Sequence, residues 1–505
     1  MLDKKILCIG NETAATDQMV SDLAAQHNTV NHGLIESIGE LNQINPGYYH
    51  TTIVDVSAGD IVLDLAPQFD EIIMLDQSID TYPHWKSFVN TFRLMIELEK
   101  KGYNTNFRNN TGNTDIIYWH DLLRSNRSLC VLPFINLIND YGSATLCMKH
   151  SDPITSIDLI TDWATDPAFA PIRNNMIAGL QMPDKCYSCY EREQLGEESA
   201  RQFESLEWAM DLGLKNKQDL KNIKYPVLYE IRPSNKCNIM CRMCDDKHSH
   251  LIEKENQQLG WPVVTDTWRM QPFPYDKIDF DTVKRIYWAG GEPTIMPDFY
   301  EFLRRCIKQD TVNFDLNIGT NAEKISDTMW DLLQQFPRVI FNVSIDGYQK
   351  VNDYIRWGSH FDNIKHNSFR ALENGHRVSF QTVLSMWNAT RVHEIFEFYD
   401  REFPGLNCLV QPAGLFDSHL GPWHNPLREQ VLESMRRCRE TRVYYNNGRN
   451  TNHAVEEVIQ HFENYDYDPA ILQKFFEYND ALDQVRGSRL IDYIPELEQT
   501  RALCK

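Results

Sequence analysis

Between Tyr225 and Gly414 six short apolar runs, YPVLYEIRP, KRIYWAGGEP, FDLNIGTN, RVIFNVSIDG, RVSFQTVLS and LNCLVQPAG, alternate with stretches whose apolar residues recur at helical spacing. Short apolar runs of this length read as strands, and their alternation with helices predicts (β/α) units around a mainly parallel sheet. In such sheets the reactive groups collect at the C-terminal ends of the strands. Near the N-terminus KKILCIG, HTTIVDVS and DEIIMLD also read as strands, with a helix over TAATDQMVSDLAAQHN, so residues 1–115 are expected to form a small Rossmann-like α/β domain. Gly10 is the only glycine of its first turn, which argues against a dinucleotide fingerprint and for a docking or structural role. The segment EREQLGEESARQFESLEWAMDLGL predicts one long linking helix, and residues 416–505 are mainly helical in pattern with no chemical motif. The expected division is therefore 1–115, 116–224, 225–415 and 416–505.

Length supports several cores: a chain of 505 residues exceeds the roughly 250–300 at which one core stops growing. The formal net charge of -21 would repel a phosphate backbone, which argues against nucleic acid as a partner; the short basic run Arg436, Arg437, Arg439 is too small to reverse this. No apolar stretch approaches the ~20 residues needed to cross a bilayer, and the start MLDKKILCIG lacks a signal segment, so a cytoplasmic protein is expected. In that setting cysteines point to metal ligation or buried thiols. Of the 12 cysteines, seven fall in two groups, while Cys8, Cys306, Cys408, Cys438 and Cys504 stand alone as expected buried thiols.

The group in EIRPSNKCNIMCRMC has Cys237, Cys241 and Cys244 at C-x3-C-x2-C spacing just after an expected strand. Three thiolates on one loop leave a metal position open for a small molecule, unlike a closed structural site. A zinc site completed by His248 or His250 is the alternative. With the expected (β/α) series, this loop resembles the radical S-adenosylmethionine superfamily. The resemblance covers roughly residues 225–415 and implies a six-stranded partial barrel, whose three cysteines ligate a four-iron, four-sulfur cluster with S-adenosylmethionine on the fourth iron. Met243 stands where many members carry an aromatic residue, and would pack against adenine. Gly290, Gly291, Glu292 and Pro293 resemble the GGEP motif that contacts the methionyl amine. Ser344, Asp346 and Gly347 of VSIDG, with Arg356, resemble the segment whose serine and arginine hold the cofactor carboxylate in peptide-modifying members. Thr320, Asn321 and Gln381 are expected at strand ends facing the cofactor.

Cys130, Cys147, Cys186 and Cys189 form the second group, with Gly142 expected to turn a small hairpin before Cys147. Four thiolates complete a structural zinc site or an iron–sulfur cluster. The spacing resembles the twitch and SPASM domains of the same superfamily, which implies a second, auxiliary four-iron cluster, here placed before the barrel instead of after it.

The implied function is reductive cleavage of S-adenosylmethionine, with an electron from a flavodoxin or ferredoxin, to a 5′-deoxyadenosyl radical that abstracts hydrogen from a substrate. A peptide or protein leads as substrate, with oxidation, crosslinking or epimerisation as outcomes. A small carbohydrate-derived or nucleotide metabolite is the alternative. A noncatalytic iron–sulfur or zinc scaffold is the rival of a different class, against which the GGEP motif and Arg356 argue.

Overall fold

The structure, a computed structural model, describes residues 115–147, 153–194, 199–263, 273–404, 407–414, 418–441, 444–445, 453–464 and 466–504, together with five strands nearer the N-terminus. Those strands are β1 (Ile6–Ile9), β2 (Leu34–Ile35), β3 (Thr51–Val54), β4 (Glu71–Asp76) and β5 (Thr105–Asn109), in the order β2-β3-β1-β4-β5. All their pairings are parallel, as the three apolar runs there suggest. The helix expected over residues 13–28 lies outside the described residues.

The chain divides into two compact units that do not follow chain order: residues 1–134 with 171–223, and residues 135–170 with 224–505. In the first unit α1 (Asp115–Ser125) is tied down where Trp119 Nε1 donates to Leu214 O at 2.7 Å. The single linking helix expected over residues 191–214 is instead two helices, α2 (Pro183–Gln194) and α3 (Ala200–Asp211). The reason is local: Ser199 and Gln202 form a reciprocal capping box that satisfies free N–H groups and starts α3 afresh.

The second unit is built on a ten-stranded sheet, ordered β17-β16-β15-β13-β12-β11-β9-β6-β7-β8. The six runs of the sequence supply β9 (Leu228–Arg232), β11 (Arg285–Trp288), β12 (Asp315–Thr320), β13 (Val339–Ser344), β15 (Arg377–Leu384) and β16 (Asn407–Pro412). These pair in parallel with their neighbours, giving an α/β sheet with helices between strands. The sheet is wider than those runs imply. Strands β6 (Asn136–Asp140), β7 (Ser143–Thr145) and β8 (Thr155–Ser156) join one edge, β6 parallel to β9, and β17 (Tyr444–Tyr445) joins the other. The separate two-residue strands β10 (Met240–Cys241) and β14 (Arg356–Trp357) pair antiparallel.

After the cysteine loop comes α4 (His250–Leu259). One face of the sheet is covered by helices whose buried residues keep helical spacing. In α5 (Pro297–Lys308) these are Phe299, Phe302, Leu303 and Cys306, and Trp288 of β11 lies 5.0 and 4.8 Å from the first two rings. Similarly, Trp330 of α6 (Asp327–Leu333) packs on Phe341, and Tyr399 of α7 (Val392–Glu402) stacks on Phe380. Because side chains alternate along a strand, Glu230, Tyr287, Asn317, Asn342 and Gln381 project from the other face. Near the C-terminus α8 (Pro469–Arg486) buries Leu472, Phe475 and Phe476 with Val351, Tyr354, Ile355, Met386 and Trp387 in a shared apolar cluster.

Candidate functional site

The loop that follows β9 carries Cys237, Cys241 and Cys244, all half-buried. One wall is the turn at Gly290–Glu292, which lies directly on it. Gly291 N donates to Ser234 O at 3.0 Å and Glu292 N to Lys236 O at 2.8 Å. A Cβ on Gly291 would sit 2.2 Å from Lys236 O, and Gly290 holds φ +114 with only 2.6 Å from its Cβ position to Ser234 O. Two glycines are thus required by backbone-on-backbone contact, not merely by a turn. Pro293 is buried and opens a short helical turn.

Glu292 is fully buried, and both carboxylate oxygens are engaged within the protein. Oε1 accepts from Thr294 N (3.1 Å), Thr294 Oγ1 (2.7 Å) and Thr320 Oγ1 (2.6 Å), while Oε2 accepts from Asn321 N (2.7 Å). Burial raises its pKa and these donors oppose the rise. Its shown work is to tie the turn to the end of β12, and Asn321 passes the tie on, donating Nδ2 to Asn238 Oδ1 in the cysteine loop at 2.8 Å.

A second wall is the β10–β14 pair, which sets Cys241 opposite Arg356. Arg356 Nη1 donates to Asp346 Oδ2 at 2.6 Å, and Asp346, fully buried, also accepts from Val383 N at 2.7 Å. Asp346 therefore aims the guanidinium, whose Nε is buried with no protein partner. Burial pushes the Cys237 thiol up to about 12 and raises Cys241 and Cys244, while the Arg356 cation pulls all three down. A ligand must be a thiolate, so this cation favours the form that binds metal.

Other expected residues are placed as follows. Ser344 ends β13 in register with Gln381 of β15, and Gln381 bonds the Tyr287 hydroxyl. Met243 packs against the apolar cluster of α8. His250 Nδ1 accepts from Cys237 N at 3.2 Å, and His248 Nδ1 lies 2.6 Å from Asp245. Among the described residues no three His, Cys, Asp or Glu side chains are drawn together closely enough to hold a single metal ion.

The second cysteine group divides: Cys130, Cys186 and Cys189 belong to the first unit and Cys147 to the second. In the first unit, buried Arg201 makes a two-point pair with Glu193 of α2 at 2.8 Å and donates to Leu129 O at 2.6 Å, beside Cys130. Ser205 Oγ donates to Cys130 Sγ at 3.7 Å. Burial raises the Cys186 thiol pKa, and Cys189 adds to the rise.

The sequence reading passed over several groups beside the loop. The hairpin turn expected at Gly142 joins β6 to β7 and holds Tyr141 at φ 55, a conformation that costs an aromatic residue energy. Lys247 Nζ donates to Asp140 Oδ2 at 2.6 Å, and Arg232 pairs with Glu230. Tyr141 stands 5.7 Å from His248, ring to ring. The Tyr-Gly pair was the only signal in the sequence, and it marked the turn without revealing its neighbours.

Residues 231–399 match the Radical SAM superfamily. Over that stretch the chain is similar to a radical SAM domain. That family implies a four-iron, four-sulfur cluster and S-adenosylmethionine, and the residues present fit both: three thiols on one loop, a cation aligned with them, and the buried unpartnered Nε of Arg356. An uncharacterized protein of Methanothermobacter thermautotrophicus is 27% identical over 192 residues, 36% of this chain and 66% of that one. Among solved structures, SuiB of Streptococcus suis bound to precursor peptide SuiA is 15% identical over 64% of this chain and 65% of that chain, with a TM-score of 0.28. Native anSMEcpe with bound AdoMet is 15% identical over 44% and 64%, with a TM-score of 0.33. The radical S-adenosylmethionine methyltransferase TsrM of Kitasatospora setae is 10% identical over 83% and 76%, with a TM-score of 0.29. The chain thus spans just under two thirds of the length of the Methanothermobacter relative and of SuiB. Among the described residues no helix is long and apolar enough to cross a membrane.

Proposed function

We propose that this chain is a radical S-adenosylmethionine enzyme that takes a hydrogen atom from a peptide or protein substrate, with Cys237, Cys241 and Cys244 as ligands of the reactive cluster. The observation that carries the reading is the pairing of Cys241 with Arg356, because it aligns a cation bearing a buried, unpartnered N–H with the thiols. Held there, the cluster and S-adenosylmethionine would supply one-electron cleavage of a sulfonium bond and, through it, abstraction of a hydrogen atom from the substrate. A flavodoxin or ferredoxin would supply the electron.

The protein's own contributions are geometric and electrostatic. Arg356, aimed by Asp346, offers a fork suited to the cofactor's carboxylate. Glu292 and Asn321 keep the Gly290–Gly291 backbone against the loop, so the turn's position is fixed before the cofactor arrives. The sheet face away from the helices supports a substrate rich in amide groups: Asn317 Oδ1 and Asn342 Nδ2 are buried there without protein partners, one an acceptor and one a donor.

Anaerobic reconstitution followed by dithionite and S-adenosylmethionine tests the reading. Wild type is expected to form 5′-deoxyadenosine, and the Cys237→Ala, Cys241→Ala, Cys244→Ala variant none; equal behaviour of the two overturns it. Iron counting tests the proposed auxiliary cluster. Two clusters mean about eight irons per chain, falling to about four in Cys186→Ala, Cys189→Ala, and four irons in both proteins would remove that cluster.

A further inference from the structure

Asn479, Asp483 and Arg486 stand at i, i+4 and i+7 of α8, a single helical stripe, and all three are buried, with 0, 8 and 9% of their surface exposed. Helices turn apolar stripes inward, and polar groups so placed cost energy unless paired. The main partner of Asn479 and Asp483 is Arg242, the residue directly after Cys241, which has no exposed surface at all. Arg242 Nε donates to Tyr354 O at 2.9 Å, Nη1 to Asn479 Oδ1 at 3.2 Å, and Nη2 to Asp483 Oδ1 at 2.6 Å and Ser488 Oγ at 2.9 Å. Its guanidinium carbon lies 3.6 Å from the Tyr354 ring centroid.

The backbone of Arg242 is held as well. Its N–H donates to Ile355 O at 2.8 Å, and the Tyr478 hydroxyl donates to its carbonyl at 2.7 Å. The acceptors are themselves fixed: Tyr354 and Trp387 donate to Asn479, and Ser488 and Leu490 N donate to Asp483. At the end of the stripe Arg486 makes a two-point pair with Glu255 of α4, at 2.7 and 2.6 Å. Helix α8 therefore grips the first of the two residues between the second and third thiols, and also the helix that begins six residues after the third.

We propose that α8 is a clamp on the cysteine loop, with Arg242, Tyr478, Asn479 and Asp483 as positioning residues that hold Cys241 and Cys244 where the cluster needs them. The proposal rests on the cluster reading given above. A loop ordered in advance does not pay its ordering entropy on ligation, and residues that orient metal ligands are typically worth 10- to 100-fold in metal affinity.

Two full-length variants, Arg242→Lys and Tyr478→Phe, are reconstituted with iron and sulfide beside wild type and a control, Phe302→Leu, which weakens the α5 core away from the loop. Iron release to a ferrous chelator and the urea-unfolding midpoint are followed for each. Arg242→Lys keeps the charge but loses the fork, so it is expected to release iron about 10- to 100-fold faster than wild type, with a smaller increase for Tyr478→Phe. The control should keep the wild-type rate despite a lowered midpoint. Release rates that match wild type, or that simply follow the midpoint in all three variants, overturn the clamp. Should Arg242→Lys fail to fold, Tyr478→Phe, which loses one hydroxyl, carries the same test. A wild-type protein that takes up no iron overturns the cluster reading and the clamp together; iron-loaded wild type with unaltered variants overturns the clamp alone.

Discussion

Gly291→Ala is the smallest change that should separate the GGE turn from the cysteine loop. The added methyl would start 2.2 Å from Lys236 O and 2.5 Å from Lys236 C, both backbone atoms that no side-chain rotation can move aside. Restoring even a tight contact requires the two backbones to part by about 1 Å. That movement strains the hydrogen bonds from Gly291 N to Ser234 O and from Glu292 N to Lys236 O. Overpacking costs roughly 1–3 kcal/mol and each weakened bond roughly 0.5–1.5 kcal/mol. The total is roughly 2–6 kcal/mol, against a whole-domain stability of about 5–15 kcal/mol. A 1 Å misplacement near reacting groups costs on the order of 100-fold in rate. The expected result is a folded protein with a lower urea midpoint, and at least about a 100-fold slower formation of 5′-deoxyadenosine at equal iron content. A variant with wild-type rate and midpoint would show that the turn and the loop do not need their close contact, and the assignment of the two glycines would be refuted.

Arg356→Lys keeps the positive charge beside Cys241 but removes the fork. Loss of a hydrogen bond to a charged group costs about 1.5–3 kcal/mol, so the Kd for S-adenosylmethionine by calorimetry should rise roughly 10- to 150-fold; an unchanged Kd would leave Arg356 no part in holding the cofactor. His376 is buried with Nε2 unpartnered, and burial alone lowers its pKa from the ordinary 6.5. The unfolded chain then binds that proton first, so stability is fully present above about pH 6.5 and falls as pH drops toward the depressed value. His376→Phe should flatten the acid side of a urea-midpoint profile between pH 7 and 5, and an equally steep profile would show that other groups carry that dependence.

The parts of the fold legible in the sequence are those where local pattern and tertiary role coincide. Each of the six apolar runs supplies a parallel strand, because a strand covered by helices on one face is mostly apolar and short, and the polar or Gly- and Pro-bearing stretches between runs mark the turns. The cysteine loop and GGE turn were legible for a related reason: their chemistry is compressed into a few adjacent residues. The edges of the sheet were not. Strands β6 to β8 lie among the cysteines of the second group, and β7, β8 and β17 are only two or three residues long, too short for an alternating pattern to show. The break in the linking segment is hidden in the sequence because Ser199 and Gln202 look like ordinary polar helix positions, and only their reciprocal cap marks a new helix start. Helix α8 lies in the region whose pattern is helical, but the sequence does not reveal its buried polar stripe. Asn479, Asp483 and Arg486 at helical spacing read as a solvent face, and only the buried Arg242 on a distant segment turns that stripe inward.

The cysteine loop is held by three different kinds of force, and the differences make the consequences separable. Against the GGE turn the contact is backbone on backbone, with no side chain to adjust, so a methyl group is enough to open it. Against β14 it is a strand pair that brings a cation aimed by Asp346, so an isosteric loss of charge at Asp346 should disturb cofactor affinity before it disturbs stability. Against α8 it is a closed polar network around one guanidinium, where removing any partner strands the others in a dry site. Changes at the turn and at Arg356 should therefore appear first in S-adenosylmethionine binding and cleavage, and changes around Arg242 first in iron retention. A single loosened loop would instead produce both defects together wherever it was disturbed, and measuring both quantities on each variant distinguishes three supports from one.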